Sequence, residues 1–242
     1  MNDYNQSYGA TGREMDTSIN VGLRGFMLGV YNKMALGLAL TAILAFAVGT
    51  NEQLARTLLT PPLSYFVMFG PIAILLLSSF VMKNPSPIAA NLVYWSVVGL
   101  IGVGMGAIVY IYAGRPDGMM LVAKAFLTTS VAFGALSLWG YTTKRDLSGW
   151  GVFLFMGVVG IIIAMIINMF IASSMFSMII SVGGVLIFAG LTAYDTQRLK
   201  EMYFQIGGNT RAMSVATTYG ALSLYLNFVN MFQFILALMS SD

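Results

Sequence analysis

The segment Ile187 to Lys200, IFAGLTAYDTQRLK, places one carboxylate, Asp195, at the end of an otherwise apolar run. An acid in or beside a bilayer is costly to bury and is a functional candidate by default. Its bland reading is a solvated carboxylate paired with Arg198, three residues on along the same helix surface. Further on, Gly220, Ser223, Asn227 and Asn230 recur at three- and four-residue spacing and share one helix face. Amides do not face lipid willingly, so this face should look into a bundle. It serves there either as hydrogen-bonding glue between helices or as a polar path that meets Asp195. The chemistry on offer is protonation of a carboxylate and hydrogen bonding to it.

The chain contains no Cys and no His, which removes disulfides, thiol nucleophiles, thiolate or imidazole metal sites and Ser-His-Asp triads. No metal site or cofactor is expected. One intramembrane carboxylate cannot supply an aspartyl-protease pair, and the last apolar segment has no Lys for a retinal Schiff base. No catalytic residue and no enzyme activity are expected. The glycines of GLIGVGMGA follow no strand and lie in a hydrophobic run, so they are not a phosphate loop. Lys144-Arg145-Asp146-Leu147 matches a kinase catalytic loop by letters alone, with no ATP-binding lobe around it. Asp146 or Ser148 should instead cap the helix that follows.

These groups need a frame, and composition supplies it. Of 242 residues 58% are hydrophobic and 9% charged, against about 25% charged in a soluble domain. The chain reads as an all-α polytopic membrane protein whose partner is the lipid bilayer. Seven apolar segments are placed at residues 26–49, 63–82, 88–113, 118–141, 150–171, 175–194 and 213–239, each near the roughly 20 residues that cross the hydrocarbon. Residues 25–242 form the seven-helix membrane domain. Residues 1–24 are a polar tail, expected to be disordered, with no visible signal peptide. Spans five and six, separated only by Ala172 to Ser174, should form a tight hairpin, and Pro71 should kink span two.

Seven spans put the amino tail and loops 2–3, 4–5 and 6–7 on one side. That side carries Arg13, Arg24, Lys83, Lys144, Arg145, Arg198, Lys200 and Arg211, and the other only Arg56 and Arg115. This asymmetry places the amino terminus in the cytoplasm and the carboxyl terminus outside, and explains the net charge of +3 without nucleic acid. Trp139, Tyr141 and Trp150 fit an aromatic belt at the cytoplasmic interface. Lys33 and Lys124 should snorkel to the membrane surface. Gly102 and Gly106 should let another helix approach span three closely.

Four stretches in order carry a resemblance: VYNKMALGLALTA in span one, AFLTTSVAFGALSLWGYTTKRDLSGWG across spans four and five, LIFAGLTAYDTQRLK in span six and GALSLYLNFVNMF in span seven. The chain resembles the bacterial branch of the Bax inhibitor-1-like family from about Phe26 to Leu238. The resemblance implies a multi-pass protein of the cell inner membrane with a central seventh helix. It also implies a pH-sensitive calcium leak in which aspartates of helices six and seven share a proton. Asp195 matches the first of these, and the second falls in LYLNFVN, where this chain has Asn227.

A pair with one titrating group lacks the like-charge repulsion of a carboxylate dyad, so gating should shift to more acidic pH or lose steepness. Span two contains no Arg, so the helix-two arginine latch of some relatives is missing, and Arg198 or Arg211 is the electrostatic substitute. Calcium takes six to eight oxygen ligands; Asp195, Asn227, Ser223 and Asn230 suit an ion in transit better than a stored one. The other reading is a membrane stress or quality-control modulator that binds membrane proteases or other membrane proteins without ion flux.

Overall fold

The computed structural model describes the backbone of residues 4–240 and the side chains of residues 21–240. Eight helices follow in order: α1 (Tyr4–Thr50), α2 (Glu52–Leu58), α3 (Leu63–Val81), α4 (Pro87–Ala113), α5 (Gly118–Thr142), α6 (Trp150–Ile171), α7 (Ser174–Ile206) and α8 (Thr210–Met239). All but the short α2 are long and apolar enough to cross a membrane. Spans one to seven of the sequence are therefore α1 and α3 to α8.

The expected tail falls largely outside the residues whose side chains are described. The apolar stretch of α1 begins at Val21, and Leu23 is buried in the core. The short α2 was not foreseen from hydropathy; it starts where the Asn51 side chain accepts the Leu54 N–H and carries a Glu52–Arg56 pair one turn apart. The α6–α7 hairpin turns at Ala172, with φ of 51°, and the Ser173 hydroxyl caps α7 by accepting the Phe176 N–H. Neither Asp146 nor Ser148 caps α6, whose start at Gly149 has no side-chain cap. Asp146 instead accepts the Ser148 N–H within the preceding turn at 2.8 Å. The hydrogen bonds from Ser148 hold the exposed Asp146 carboxyl below the usual carboxylate range.

The largest correction concerns α7, which continues twelve residues past Tyr194 to Ile206. The polar run after Tyr194 hides an amphipathic pattern, in which Leu199 is fully buried while Met202 and Ile206 pack on the core. Gly207 and Gly208, at φ of 60° and 82°, stop the helix. Asp195 therefore lies about three turns inside α7.

The core gathers around α8, which packs against α1, α4, α5 and α7, while α3 leans on α4 and α6 on α7. A Cβ on Gly102 or Gly106 would run into Leu44 or Val48 of α1, so these glycines serve the close α1–α4 crossing. The bundle has a basic end, with Lys83, Lys144, Arg145, Arg211 and the last turns of α7, and an opposite end with Arg56 and Arg115.

Candidate functional site

Two glycines of neighbouring helices let α7 approach closely on either side of Asp195, one against backbone and one against a side chain. A Cβ on Gly140 of α5 would lie 2.3 Å from the Ala193 carbonyl oxygen, and one on Gly220 of α8 would lie 2.5 Å from Leu199. Between these approaches Asp195 turns toward α8 and is 5% exposed. Its Oδ2 accepts a hydrogen bond from the Ser223 hydroxyl at 2.6 Å and another from the Asn227 amide at 2.8 Å. Oδ1 stands 3.8 Å from Nη1 of Arg198, whose half-exposed side chain also lies over the Tyr194 ring. A buried charge is tolerable only with such partners. The hydroxyl and amide supply charge-assisted bonds of about twice the neutral strength, and the guanidinium adds a pair screened by its exposure.

Neither of the other two residues singled out beside them joins this cluster. Asn230 donates to the Leu226 carbonyl of its own helix at 2.8 Å, which satisfies the amide locally. Arg211 is exposed beside a cleft with Asn84, Asn209 and Tyr219, so Arg198 is the guanidinium that reaches the carboxylate.

Sequence reasoning missed what the residues flanking Asp195 do. Thr196 meets Ser137 of α5 at 3.0 Å, and Ser137 in turn meets the Tyr31 hydroxyl of α1 at 2.6 Å. Gln197 donates to the Arg145 carbonyl at 2.8 Å and accepts the Leu147 N–H at 2.7 Å, pinning the α5–α6 loop to α7. Lys200 donates to the Tyr141 carbonyl at 3.2 Å. Successive residues of DTQRLK thus address different neighbours, as a helix must when it is surrounded on several sides. The signal available beforehand was the density of polar side chains inside one helix.

Lys33 is a second correction. It does not snorkel: its ammonium donates to Asn91 Oδ1 of α4 and to the Thr218 hydroxyl of α8, both at 2.7 Å. The Tyr94 hydroxyl donates to the Lys33 carbonyl at 2.7 Å. Lys124 is exposed at the opposite end, beside Arg115 and Asp117. Among the described residues no group of three or more Asp or Glu could hold a metal ion.

The family model described as inhibitor of apoptosis-promoting Bax1 matches residues 23–242. The chain is 46% identical to an uncharacterized protein of Caulobacter vibrioides over 98% of its own length and 97% of that protein's. It is 35% identical to an uncharacterized protein of Rickettsia prowazekii, covering 98% and 97% of the two chains. It is 36% identical to the inner membrane protein YbhL of Escherichia coli, over 89% of this chain and 91% of YbhL.

Proposed function

The chain belongs to the Bax inhibitor-1-like family of multi-pass inner-membrane proteins, and on that premise we propose that it is a proton-linked calcium leak gated at Asp195. The observation that carries this reading is the buried carboxylate held by two donors of the neighbouring helix. In this reading the ionised carboxylate clasps α7 to α8 through Ser223 and Asn227. A proton on Asp195 turns two charge-assisted bonds into neutral ones and cancels the attraction to Arg198. The α7–α8 seam loosens and cations pass, so flux rises as pH falls. With too few charged oxygens for storage, calcium is cargo in transit. The basic end of the bundle faces the cytoplasm, as the excess of Lys and Arg there supports. No step needs a nucleophile or a catalytic acid, and the protein acts as a conduit rather than an enzyme.

Asn227 separates this chain from a two-aspartate design. An Asp–Asn pair closes with one proton site, so gating is expected to shift to more acidic pH or to lose steepness relative to a two-aspartate design. The test is calcium influx into proteoliposomes from about pH 5 to about pH 8, for wild type and Asp195→Asn, with the fold of both verified. Wild-type flux that climbs with acidity alongside flat flux in the variant is the expected result. The same pH profile in both, or no flux in either, would overturn the reading.

A further inference from the structure

We infer that the seam between α1 and α5 is a binding groove for one anionic phospholipid, with its acyl chain along the helices and its phosphate at Arg24. Among the described residues, α1 and α5 nowhere bring their Cα atoms within 8 Å of each other, although both flank α8. The space left between them holds two cavities in line. The first, of 590 Å³, is lined by Arg24, Leu28 and Tyr31 from α1 and by Gly134, Leu138 and Tyr141 from α5. The second, of 500 Å³, lies toward the opposite end, where Leu38 and Phe46 of α1 face Phe126 of α5 and Met105 and Val109 of α4 close one wall, with Phe232 of α8 behind them.

The pairing of residues along the seam is regular. Arg24 shares the first cavity with Tyr141 and Leu38 shares the second with Leu127, as expected for antiparallel helices. From Arg24 to Tyr31 the groove runs about 10 Å, and to Leu38 about 20 Å. One acyl chain, which spans half of a hydrocarbon layer about 30 Å thick, reaches from the first cavity to the edge of the second. The floor of the first cavity is closed rather than open to the core. The Tyr31–Ser137 hydrogen bond bars it, and Ser137 is 6% exposed.

The mouth selects the headgroup. Arg24 is exposed and makes no ion pair among the described residues. Lys200 sits 5.3 Å from the centre of the Tyr141 ring, its ammonium tied to the Tyr141 carbonyl. Among the described residues no carboxylate lines the cavity. One guanidinium lining an apolar slot at the basic end, with the Lys200 ammonium held against Tyr141 of its wall, matches a phosphate whose headgroup adds no compensating cation.

The groove can be filled without disturbing the core. A Cβ on Gly134 meets nothing within 4 Å, and the same holds for Gly160 on α6, an exposed glycine outside the groove. The test adds phosphatidylglycerol or phosphatidylethanolamine, both with oleoyl chains, to delipidated full-length protein in detergent and counts bound lipids by native mass spectrometry. Phosphatidylglycerol is expected to bind at least about tenfold more tightly than phosphatidylethanolamine. Gly134→Leu is expected to weaken it about tenfold, and Gly160→Leu to leave it unchanged. Arg24→Gln, at an exposed side chain, is expected to erase the preference between the two lipids; it keeps the test decisive if Gly134→Leu does not fold. Equal binding of both lipids to wild type, unaltered binding to Gly134→Leu, or equal losses in Gly134→Leu and Gly160→Leu would each overturn the assignment.

Discussion

Two ions of opposite sign meet α8 on different faces. Lys33 bonds Thr218 from the α1–α4 side, and Asp195 bonds Ser223 from the α7 side. Five residues separate the two hydroxyls, which places them about 140° apart around the helix. Each ion is solvated by one hydroxyl and one amide, yet the two sites differ in what their surroundings provide. The ammonium meets only neutral acceptors and the Tyr94 ring, 5.8 Å away. The carboxylate has a guanidinium within 4 Å that is itself half exposed, so one of its partners reaches water. Both sites join helices across the bundle, but only the second sets its ion beside an opposite charge that reaches solvent. Under the gating proposal the ion paired with a solvent-reaching charge is the regulatory one, and the ion held by neutral groups joins helices only.

The comparison breaks first, and most visibly, in a paired substitution. Asp195→Asn should flatten the pH profile of calcium influx, whereas Lys33→Met should lower stability and keep the profile. A Lys33→Met protein with a flat profile would place both ions on one path. The next effect in size is expected from Asn227→Asp, which puts two carboxylates where one stands now. Like-charge repulsion should move the flux midpoint toward neutrality by about one pH unit, equivalent to about 1.4 kcal/mol. Identical profiles for wild type and Asn227→Asp would remove Asn227 from the gate.

Ser223→Ala sharpens the comparison at the level of one bond. It should destabilise the bundle by about 1 to 2 kcal/mol, between the ~0.6 kcal/mol of an average interhelical bond in a bilayer and the upper value for bonds to charged groups. Unfolding in mixed micelles would measure it, and an unchanged midpoint would mean that Asn227 alone holds the carboxylate. The smallest effect is expected outside the membrane, at Asp146. Because its carboxyl is held below the usual range, its contribution to stability is present above the unfolded-state value and fades as pH falls through the depressed one. Asp146→Asn should therefore lower thermal stability slightly at neutral pH and leave it unchanged at acid pH, where the wild-type carboxyl is already protonated, as thermal melts at acidic and neutral pH would reveal.

Hydropathy made the seven spans legible, because a bilayer imposes length and apolarity on every crossing segment. It failed at the end of α7, where YDTQRLKEMYFQI reads as a polar loop by average and as an amphipathic helix by spacing. The Ser223 and Asn227 face was legible from helical periodicity, and it does meet Asp195. Asn230 shares the spacing and yet bonds its own helix, because periodicity assigns a face and not a partner. The inward course of Lys33 was not legible either. Its acceptors lie 58 and 185 residues away in the chain, and only the packing of three helices brings them to one point.

The contact of Gly140 with Ala193 has a mechanical consequence. No side chain cushions α5 from α7 there, so in the proposed opening it would serve as a fulcrum on which α7 tilts rather than slides. Asp195 lies about 3 Å beyond that pivot and Ile206 about 20 Å beyond it. A displacement of half an ångström at the carboxylate is thereby magnified to about 3 Å at the tip of α7. The longer arm also carries Gln197 and Lys200, so the α5–α6 loop would register each swing of the lever.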